Sequence, residues 1–343
     1  MGKRFFIVCE TYKNTGVERK IEAQKKALKK RGRFEPLLES PSSPYQRLYK
    51  AQRTIIQKAK EAELVYYRYS ALNWLLHRFL IKKMKGRYFL EINALNGPEL
   101  KWEKGLKGIT KRYMNSFYEK RLFRSAKTVL AVSPSITQYV RSYYPHVDIK
   151  IIDNGYEKRE IIAEGDHVIA EKIYNWKKKN YLVGLFAGTF FPWAGVDRII
   201  DWIADHPETA LVLAGFGPEE KRILHHISGP LRERILFTGK RKETELVFLY
   251  EHCDFAFSSM AIERKELSEA RSLKTREYLA YGLPVICNHQ ESPTLEKSGL
   301  LLPANIPVSR IREICGAESK EERAARLLPL LSWDRIYEKL GDW

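Results

Sequence analysis

Two glutamates eight residues apart, Glu269 and Glu277, enclose a segment whose residue types could hold a phosphorylated ligand. Ser272 is a preferred helix N-cap, so a helix starting there would carry Glu277 and leave Glu269 in the preceding loop. The unpaired backbone N–H groups near Arg271, Ser272 and Leu273 would favour a diphosphate. A carboxylate at Glu277 can accept hydrogen bonds from two neighbouring ribose hydroxyls, which leaves Glu269 near a sugar beyond the phosphates.

The helix that must position these residues is expected to run from Ser272 to Tyr281. Gly282 would end it, and Pro284 would open the next strand. An ordinary surface helix that happens to carry two acids is the alternative interpretation, so the surrounding sequence has to decide between them.

Short apolar runs alternate with longer segments of helical periodicity along the chain, which is typical of βαβ units and parallel sheets. The predicted strands lie at residues 5–8, 35–38, 64–67, 88–92, 129–132 and 149–152, and at 182–186, 210–213, 235–237, 254–257, 284–287 and 300–302. We therefore predict an α/β fold with two Rossmann-like, doubly wound parallel-sheet domains that face each other across a cleft. Residues 1–155 are expected to form the first domain and residues 156–330 the second.

The charge of the chain is concentrated in its first half. Of the 343 residues, the first 150 contain 33 Lys plus Arg against 12 Asp plus Glu, whereas the remainder contains 27 against 30. Such asymmetry favours contact with a polyanion, either an anionic membrane surface or a nucleic acid, although a solvated Lys-rich surface is the simpler alternative. Because no helix-turn-helix, RNP or zinc-finger pattern occurs, we expect no nucleic acid as a partner.

A long basic segment, Lys101 to Lys127, combines cations with aromatic residues and is predicted to be helical. Its apolar side could pack on the sheet or lie at an anionic bilayer. No apolar run reaches transmembrane length and no signal-peptide pattern is present, so we expect a cytoplasmic protein that is peripheral at the inner face of the membrane. Four separated cysteines without a C-x-x-C pair, and no H-E-x-x-H or D-x-D pattern, predict neither a metal site nor a cofactor.

The segment Glu269 to Glu277 resembles the E-x7-E motif of glycosyltransferase family 4 and its GT-B relatives, in the subgroup with S-x-K-x-x-E-Y. Further segments are similar to the family's motifs in order and spacing: Phe186 to Thr189, Trp193 to Asp197, Leu211 to Pro218, Phe237 to Arg241, Ser332 to Asp334, and Asp153 to Glu157. The resemblance implies a GT-B fold, in which residues 331–343 form a helix that packs back across both domains, and a retaining, metal-independent transferase. Its substrates would be a nucleoside diphosphate sugar and a glycan or lipid-linked acceptor.

The resemblance also implies roles for individual residues. The first glutamate of the motif, Glu269, would face the transferred sugar, and the second, Glu277, would hold the ribose. Donor-binding positions are expected at Gly16, Gly188, Thr189, Gly215, Gly217, Lys240, Arg241, Arg271, Ser272, Leu273 and Glu277.

Two departures from the family pattern concern charge. The family places an Arg where this chain has Thr189 and a Lys where it has Ala194, and both cations stabilise the departing diphosphate. Lys274 is the leading replacement and is therefore predicted to be catalytic, with the arginines at positions 271, 276 and 241 as further candidates. A GT-B protein that kept the fold and lost the activity, acting as a partner subunit, is the alternative.

The first half offers weaker candidates for acceptor chemistry. Glu91 ends the fourth predicted strand, where it could position or deprotonate an acceptor hydroxyl, although a helix cap is an equally good interpretation. Tyr12, Arg68 and Asn93 are the predicted acceptor-binding residues. The basic half favours a lipid-linked intermediate of surface polysaccharide or glycolipid assembly, and a basic nucleic-acid-binding protein is the weaker rival.

Overall fold

The chain divides into two units that can be described separately. The computed structural model describes residues 2–12, 16–30, 34–41, 43, 46–94, 105–227 and 229–341. Unit 1 comprises Met1–Asp153 with Ile336–Trp343, and unit 2 comprises Asn154–Arg335. The first division thus falls two residues before the boundary expected from the sequence.

Unit 1 is built on a six-stranded parallel sheet. Its strands are β1 (Arg4–Cys9), β2 (Glu35–Glu39), β3 (Leu64–Arg68), β4 (Tyr88–Ile92), β5 (Thr128–Ala131) and β6 (Ile149–Ile151). They are ordered β2-β1-β3-β4-β5-β6, so the direction of chain progression reverses between β1 and β3. Both faces of β3 and β4 are buried, which explains their continuous apolar character. Pro36 lies in β2, at the sheet edge, where a missing N–H is tolerated.

Helices cover both faces of this sheet, as the alternating pattern predicted. They are α1 (Gly16–Lys30), α2 (Ala51–Ala59) after a π turn (Gln46–Lys50), α3 (Trp74–Lys83), α4 (Gly105–Ser125) and α5 (Pro134–Tyr143). Helix α1 buries Ile21 and Leu28, as its periodicity predicts. Ser133 caps α5 by accepting a hydrogen bond from the Ile136 amide, and Pro134 occupies the first helical position.

Unit 2 contains a second six-stranded parallel sheet. Its strands are β7 (Leu182–Thr189), β8 (Thr209–Phe216), β9 (Ile235–Gly239), β10 (Phe255–Phe257), β11 (Val285–Cys287) and β12 (Leu301–Pro303). The order β12-β11-β10-β7-β8-β9 reverses direction between β7 and β10. Side chains of β7 alternate between two hydrophobic clusters: Val183 and Leu185 belong to one, and Leu182 and Phe186 to the other. All twelve strands therefore lie where the sequence predicted them, and the prediction of two doubly wound sheets is confirmed.

The helices of unit 2 alternate with its strands. They are α6 (His167–Lys178), α7 (Val196–Asp205), α8 (Glu220–His226), α9 (Leu231–Arg234), α10 (Glu243–His252), α11 (Leu273–Ala280), α12 (Pro293–Glu296), α13 (Val308–Ala317) and α14 (Lys320–Leu331). Helix α15 (Trp333–Glu338) begins in unit 2 and ends in unit 1. Short 3-10 helices occur at Pro192–Ala194 and Ile262–Lys265. The Glu157 carboxylate accepts a hydrogen bond of 3.0 Å from the Trp333 amide and so caps α15. Of the helices in the described ranges, none combines the length and apolar character that a bilayer crossing requires.

Candidate functional site

The helix predicted to begin at Ser272 and to carry Glu277 is present, with the expected ends. Helix α11 spans Leu273–Ala280, Ser272 occupies the N-cap position, and Glu269 precedes the helix while Glu277 lies on it. Gly282 follows with a φ of +72°, and a Cβ there would lie 2.0 Å from the Lys320 carbonyl oxygen, so only glycine fits. The helix bounds predicted from the cap and the terminating glycine are confirmed.

Two polar contacts fix α11 to the sheet strands at which chain order reverses. The Thr275 and Ser258 hydroxyls lie 2.8 Å apart, directly after β10. The Tyr278 hydroxyl accepts a hydrogen bond of 2.8 Å from the Ala187 amide and donates one of 3.1 Å to its carbonyl, near the end of β7. Doubly wound sheets bind ligands at the carboxyl ends of the strands where their order reverses. The N-terminus of α11 is therefore held over that point of unit 2.

Lys274, in the first turn of α11, lies beside the end of β7. Its Nζ is 4.1 Å from the Phe186 ring centroid, and a Cβ added to Gly188 would lie 3.0 Å from that nitrogen. Burial and the charge of Lys265 lower the pKa of Lys274 to about 7, although Glu277 raises it. Among the residues the structure describes, Lys274 has no hydrogen-bond acceptor and no counter-ion within salt-bridge distance. The predicted replacement cation is thus adjacent to Gly188, next to Thr189 at the end of β7.

The backbone amides of α11 differ in one respect from the prediction. The Ser272 amide, expected to face a diphosphate, donates a hydrogen bond of 3.2 Å to Glu291 Oε1. The next three amides, those of Leu273, Lys274 and Thr275, have no acceptor in the described part of the chain. Of the three amides expected to face an anion, that of Ser272 is thus paired within the protein, and those of Lys274 and Thr275 join that of Leu273 as candidates.

Glu291 is the site residue that sequence reasoning missed. Its buried carboxylate lies 3.0 Å from Arg276 Nη1, 3.7 Å from His289 Nε2 and 4.0 Å from Arg271 Nη1. Burial alone would raise the pKa of Glu291, but the Arg276 charge and the His289 contact hold it below its usual value. Arg276 also donates to the Asn154 carbonyl at 2.7 Å and is fully buried. Arg276 is therefore a structural cation and not the predicted replacement for the phosphate-binding residues.

Glu269 and Arg271 lie in the loop that leads into α11. Glu269 forms an isolated parallel bridge with Gln290, and its Oε2 is 3.7 Å from Arg271 Nη2. Arg271 is 8% exposed, and its Nη1 has no hydrogen-bond acceptor among the described residues. The Asn154 amide nitrogen donates to the Arg271 carbonyl at 2.5 Å. The loop is thus fixed from both sides while one guanidinium N–H group stays available.

The glycines at the ends of β7 and β8 have a steric explanation. A Cβ on Gly215 would lie 1.9 Å from the Gly188 carbonyl oxygen, and one on Gly217 would lie 2.6 Å from the Phe190 amide nitrogen. Glycine is therefore required for the close approach of these two strand ends, whatever ligand binds beside them. Thr189 closes β7 and is half-buried.

Lys265 is a second cation near this end of the sheet, and no sequence motif indicated it. It ends the 3-10 helix Ile262–Lys265, and its Nζ lies 4.3 Å from the Trp193 ring centroid. Trp193 in turn stacks on Phe191 at 4.5 Å. The effect of Lys265 on the pKa of Lys274 shows that the two cations share one electrostatic environment.

The two predicted donor-binding residues of the loop after β9 have different environments. Lys240 is exposed, with its Nζ 5.6 Å from the Phe216 ring centroid. Arg241 instead forms salt bridges with Asp166, at 3.1 Å, and with Glu245, at 2.8 Å. Because two carboxylates neutralise it, Arg241 is unsuited to replace a phosphate-binding cation.

In unit 1, the environment of Glu91 contradicts its predicted catalytic role. Glu91 is fully buried; its Oε1 lies 2.9 Å from Lys20 Nζ and 3.2 Å from Arg68 Nη1, and its other oxygen accepts from Gln24 and Tyr66. Although burial alone would raise it, the pKa of Glu91 is lowered to about 2 by these two cations. A carboxylate whose two oxygens already accept from two cations and two neutral donors is poorly placed to take a proton from an acceptor. Glu91 is a structural anion.

The remaining predicted residues of unit 1 lie around this charge network or near it. Arg68 donates from Nε to Glu10, so it links two carboxylates. Asn93 Oδ1 accepts from Lys20, whereas its Nδ2 is buried without a partner in the described residues. Tyr12 is buried, and burial raises its pKa to about 12. Gly16 opens α1 without steric need for glycine, because a Cβ there would make only ordinary contacts.

Comparison with known proteins places the site inside a matching segment. Residues 169–297 match the family model described as Glycosyl transferases group 1. Over 140 residues the chain is 29% identical to an uncharacterized glycosyltransferase of Methanocaldococcus jannaschii, an alignment covering 38% of this chain and 35% of the relative. The chain therefore spans about a third of the length of the curated relative it matches. The segment contains β7, Lys274, Glu277 and Glu291.

Solved structures match over the whole chain. Sucrose-phosphate synthase from Thermosynechococcus elongatus superposes with a TM-score of 0.65 at 15% identity, covering 98% of this chain and 96% of that one. HepE of Anabaena, in complex with UDP and glucose, has a TM-score of 0.64 at 15% identity, covering 99% and 98%. The fold of this chain is thus the GT-B fold of these structures, as the sequence predicted.

Proposed function

We propose that this chain is a glycosyltransferase that moves a sugar from a nucleoside diphosphate sugar to an acceptor hydroxyl. The observation that carries the proposal is the position of the Lys274 side chain. Lys274 lies in the segment that matches the glycosyl transferase model, beside the end of β7, and none of the described acids lies within salt-bridge distance of it. A cation in such a position is suited to the negative charge of a diphosphate.

The donor would bind with its diphosphate at the start of α11. The amides of Leu273, Lys274 and Thr275 would donate to phosphate oxygens, and the Lys274 ammonium would neutralise the charge that develops as the sugar leaves. Lys265 would add a second positive charge nearby. Glu277 lies one turn after Lys274 on the same helix, where it would accept hydrogen bonds from the ribose.

The reaction would proceed with retention and without a metal ion. Both features rest on the resemblance of the motif at residues 269–277, in which Glu269 would face the transferred sugar. Lys274 and the three amides at the start of α11, with Lys265 nearby, would supply the charge stabilisation from the residues of this chain. We propose UDP as the first nucleotide to test because HepE, which shares the fold, was solved with UDP and glucose.

The acceptor would bind to unit 1. Asn93 follows β4 and carries a buried amide nitrogen that lacks a partner in the described residues, so it can donate to an acceptor hydroxyl. We propose a glycan or lipid-linked acceptor in surface polysaccharide or glycolipid assembly. With Glu91 excluded as the base, the departing diphosphate would receive the acceptor proton in a same-face displacement, and positioning would be the main contribution of the protein.

A nucleotide-binding experiment tests the donor site directly. Calorimetric titration with UDP, ADP, GDP and their glucose conjugates should identify at least one ligand. Glu277→Ala should weaken its binding about 10- to 100-fold, since a charged acceptor of ribose hydroxyls is lost. Glu313→Ala, which removes an exposed acid of α13, is the matched control. Affinity that is unchanged in folded Glu277→Ala would refute the assignment, and absence of any nucleotide binding would refute the donor site.

Thr189 and Ala194, which stand in place of two cations, keep an inactive partner subunit as the second candidate. Slow hydrolysis of the bound nucleotide sugar would support the enzyme, and hydrolysis that persists in EDTA would support metal independence. Tight nucleotide binding without hydrolysis or transfer to any glycan acceptor would favour the inactive subunit.

A further inference from the structure

One side of α4 exposes a stripe of large apolar residues. Leu106, Ile109, Tyr113 and Phe117 are 84%, 55%, 70% and 44% exposed. Their spacing of three and four residues places them on the same side of the helix. A contiguous exposed stripe of this kind is typical of a surface that contacts another apolar phase.

The opposite side of α4 is anchored in unit 1, so the stripe cannot turn inward. Leu122 and Phe123 are buried. The buried Asn115 accepts a hydrogen bond of 2.8 Å from the Tyr69 hydroxyl, and the buried Glu119 accepts one of 2.9 Å from Tyr139. The sequence allowed this helix either to pack on the sheet or to lie at a bilayer. One face packs on unit 1, and the other face stays exposed and could contact a bilayer. Residues 101–104 of the segment lie outside the described residues.

The charge of α4 is positive wherever it faces solvent. The helix contains six basic residues, Lys107, Lys111, Arg112, Lys120, Arg121 and Arg124. Its single acid, Glu119, points into the protein. Lys120 lies over the Tyr143 ring and Arg121 over the Phe117 ring, each at 3.9 Å, so cations adjoin the exposed aromatic rings.

We propose that this face of α4, defined by Leu106, Ile109, Tyr113 and Phe117 with Lys120 and Arg124 beside them, docks on an anionic membrane surface. Apolar side chains of an interfacial helix enter the boundary between headgroups and acyl chains, while lysines and arginines bind lipid phosphates. The excess of 33 basic over 12 acidic residues in the first 150 would strengthen the attraction at longer range.

The same charges disfavour the other occupants. A second copy docked on this face would bring two basic helices together, with repulsion between like charges. A nucleic acid would use the cations and aromatic rings but would leave Leu106 and Ile109 without apolar partners. A bilayer with anionic lipids satisfies the aliphatic, aromatic and cationic groups together.

Co-sedimentation of the full chain with vesicles tests the proposal. The vesicles are phosphatidylcholine alone, or phosphatidylcholine with a minority of phosphatidylglycerol. Leu106→Ser combined with Ile109→Ser should weaken binding to the anionic vesicles about tenfold or more. Lys120→Gln combined with Arg124→Gln should also weaken it and reduce its salt dependence. The control is Ile162→Ser with Val168→Ser, which removes two exposed apolar side chains of unit 2.

Several outcomes would overturn the proposal: no binding to anionic vesicles, equal loss in the unit 2 control, or a dimer in size-exclusion chromatography that the α4 variants abolish. Binding to RNA that the α4 variants abolish, without vesicle binding, would overturn it as well. The inference does not depend on the donor site, so nucleotide affinity should be unchanged in every α4 variant. Vesicle binding by a chain that binds no nucleotide would refute the proposed function alone.

Discussion

Lys20 in unit 1 and Lys274 in unit 2 occupy comparable places and differ in one respect. Each reaches the carboxyl end of a parallel sheet, and burial is the main reason that the pKa is lowered, to about 8 for Lys20 and about 7 for Lys274. Lys20 lies 2.9 Å from the Glu91 carboxylate and also donates to Asn93. Lys274 has no such partner among the described residues.

The difference separates a structural cation from a ligand-binding one. Removing an ammonium group from water is unfavourable unless an opposite charge compensates it. Glu91 compensates Lys20 within the fold, so the network of unit 1 is complete in itself. For Lys274, Glu277 compensates the burial only in part, and a bound anion would supply the rest; desolvated charges of this kind concentrate at functional sites.

Replacing Lys20 with Met gives the largest effect that the comparison predicts. The change leaves Glu91 buried with Arg68 as its remaining cation, and we expect a loss of about 3–5 kcal/mol in the free energy of unfolding. Urea denaturation measures it. Lys25→Met, which breaks an exposed pair with Glu22 on the same helix, should cost less than about 1 kcal/mol. Equal losses in the two variants would show that the network of unit 1 has no special structural role.

Replacing Lys274 with Met should have the opposite signature. Release of nucleoside diphosphate from the best donor should fall about 10²- to 10³-fold, because a cation that stabilises the leaving group is lost. The unfolding free energy should be unchanged or higher, since a desolvated amine without a counter-ion is removed. Lys178→Met, at the exposed end of α6, is the control. A Lys274→Met enzyme that is destabilised but turns over normally would reverse the comparison.

Sequence patterns predicted the fold more completely than the site. Strand positions and the ends of α11 follow from apolar runs, an N-cap serine and a terminating glycine, which are local signals. Lys274 was predicted as a site residue because it lies within one turn of Glu277. Glu291 and Lys265 were not predicted, because neither belongs to a local sequence motif. Their importance comes from residues elsewhere in the sequence: Glu291 pairs with Arg276, and Lys265 lowers the pKa of Lys274. The contacts that argue against Glu91 as a base were hidden for the same reason, because Lys20, its principal partner, lies 71 positions earlier in the sequence.

Tyr278 tests whether the lysine of unit 2 is held in place by contacts that the sequence did not reveal. Tyr278→Phe removes both hydrogen bonds to Ala187 and leaves that buried amide unpaired, so we expect a loss of about 1–3 kcal/mol in unfolding free energy. Turnover should fall together with stability, because α11 is no longer tied to β7. Tyr174→Phe, at an exposed tyrosine of unit 2, should change neither quantity. A stable variant with full activity would show that Tyr278 does not position Lys274.

The pH dependence of nucleotide binding is the finest test of the contrast. The diphosphate favours the charged form of Lys274, so affinity should decline as pH rises through the pKa of about 7, whereas below that value it should not depend on this group. For the same reason, binding just above neutral pH should take up a fraction of a proton, which calorimetry in buffers of different ionisation enthalpy measures. Lys274→Arg should abolish the uptake. Lys265→Gln should raise the pKa of Lys274 and move the decline to higher pH, because a nearby positive charge is removed. Proton uptake that persists in Lys274→Arg would show that another group binds the proton. It would then contradict the proposal that Lys274, unlike Lys20, is compensated by a bound anion.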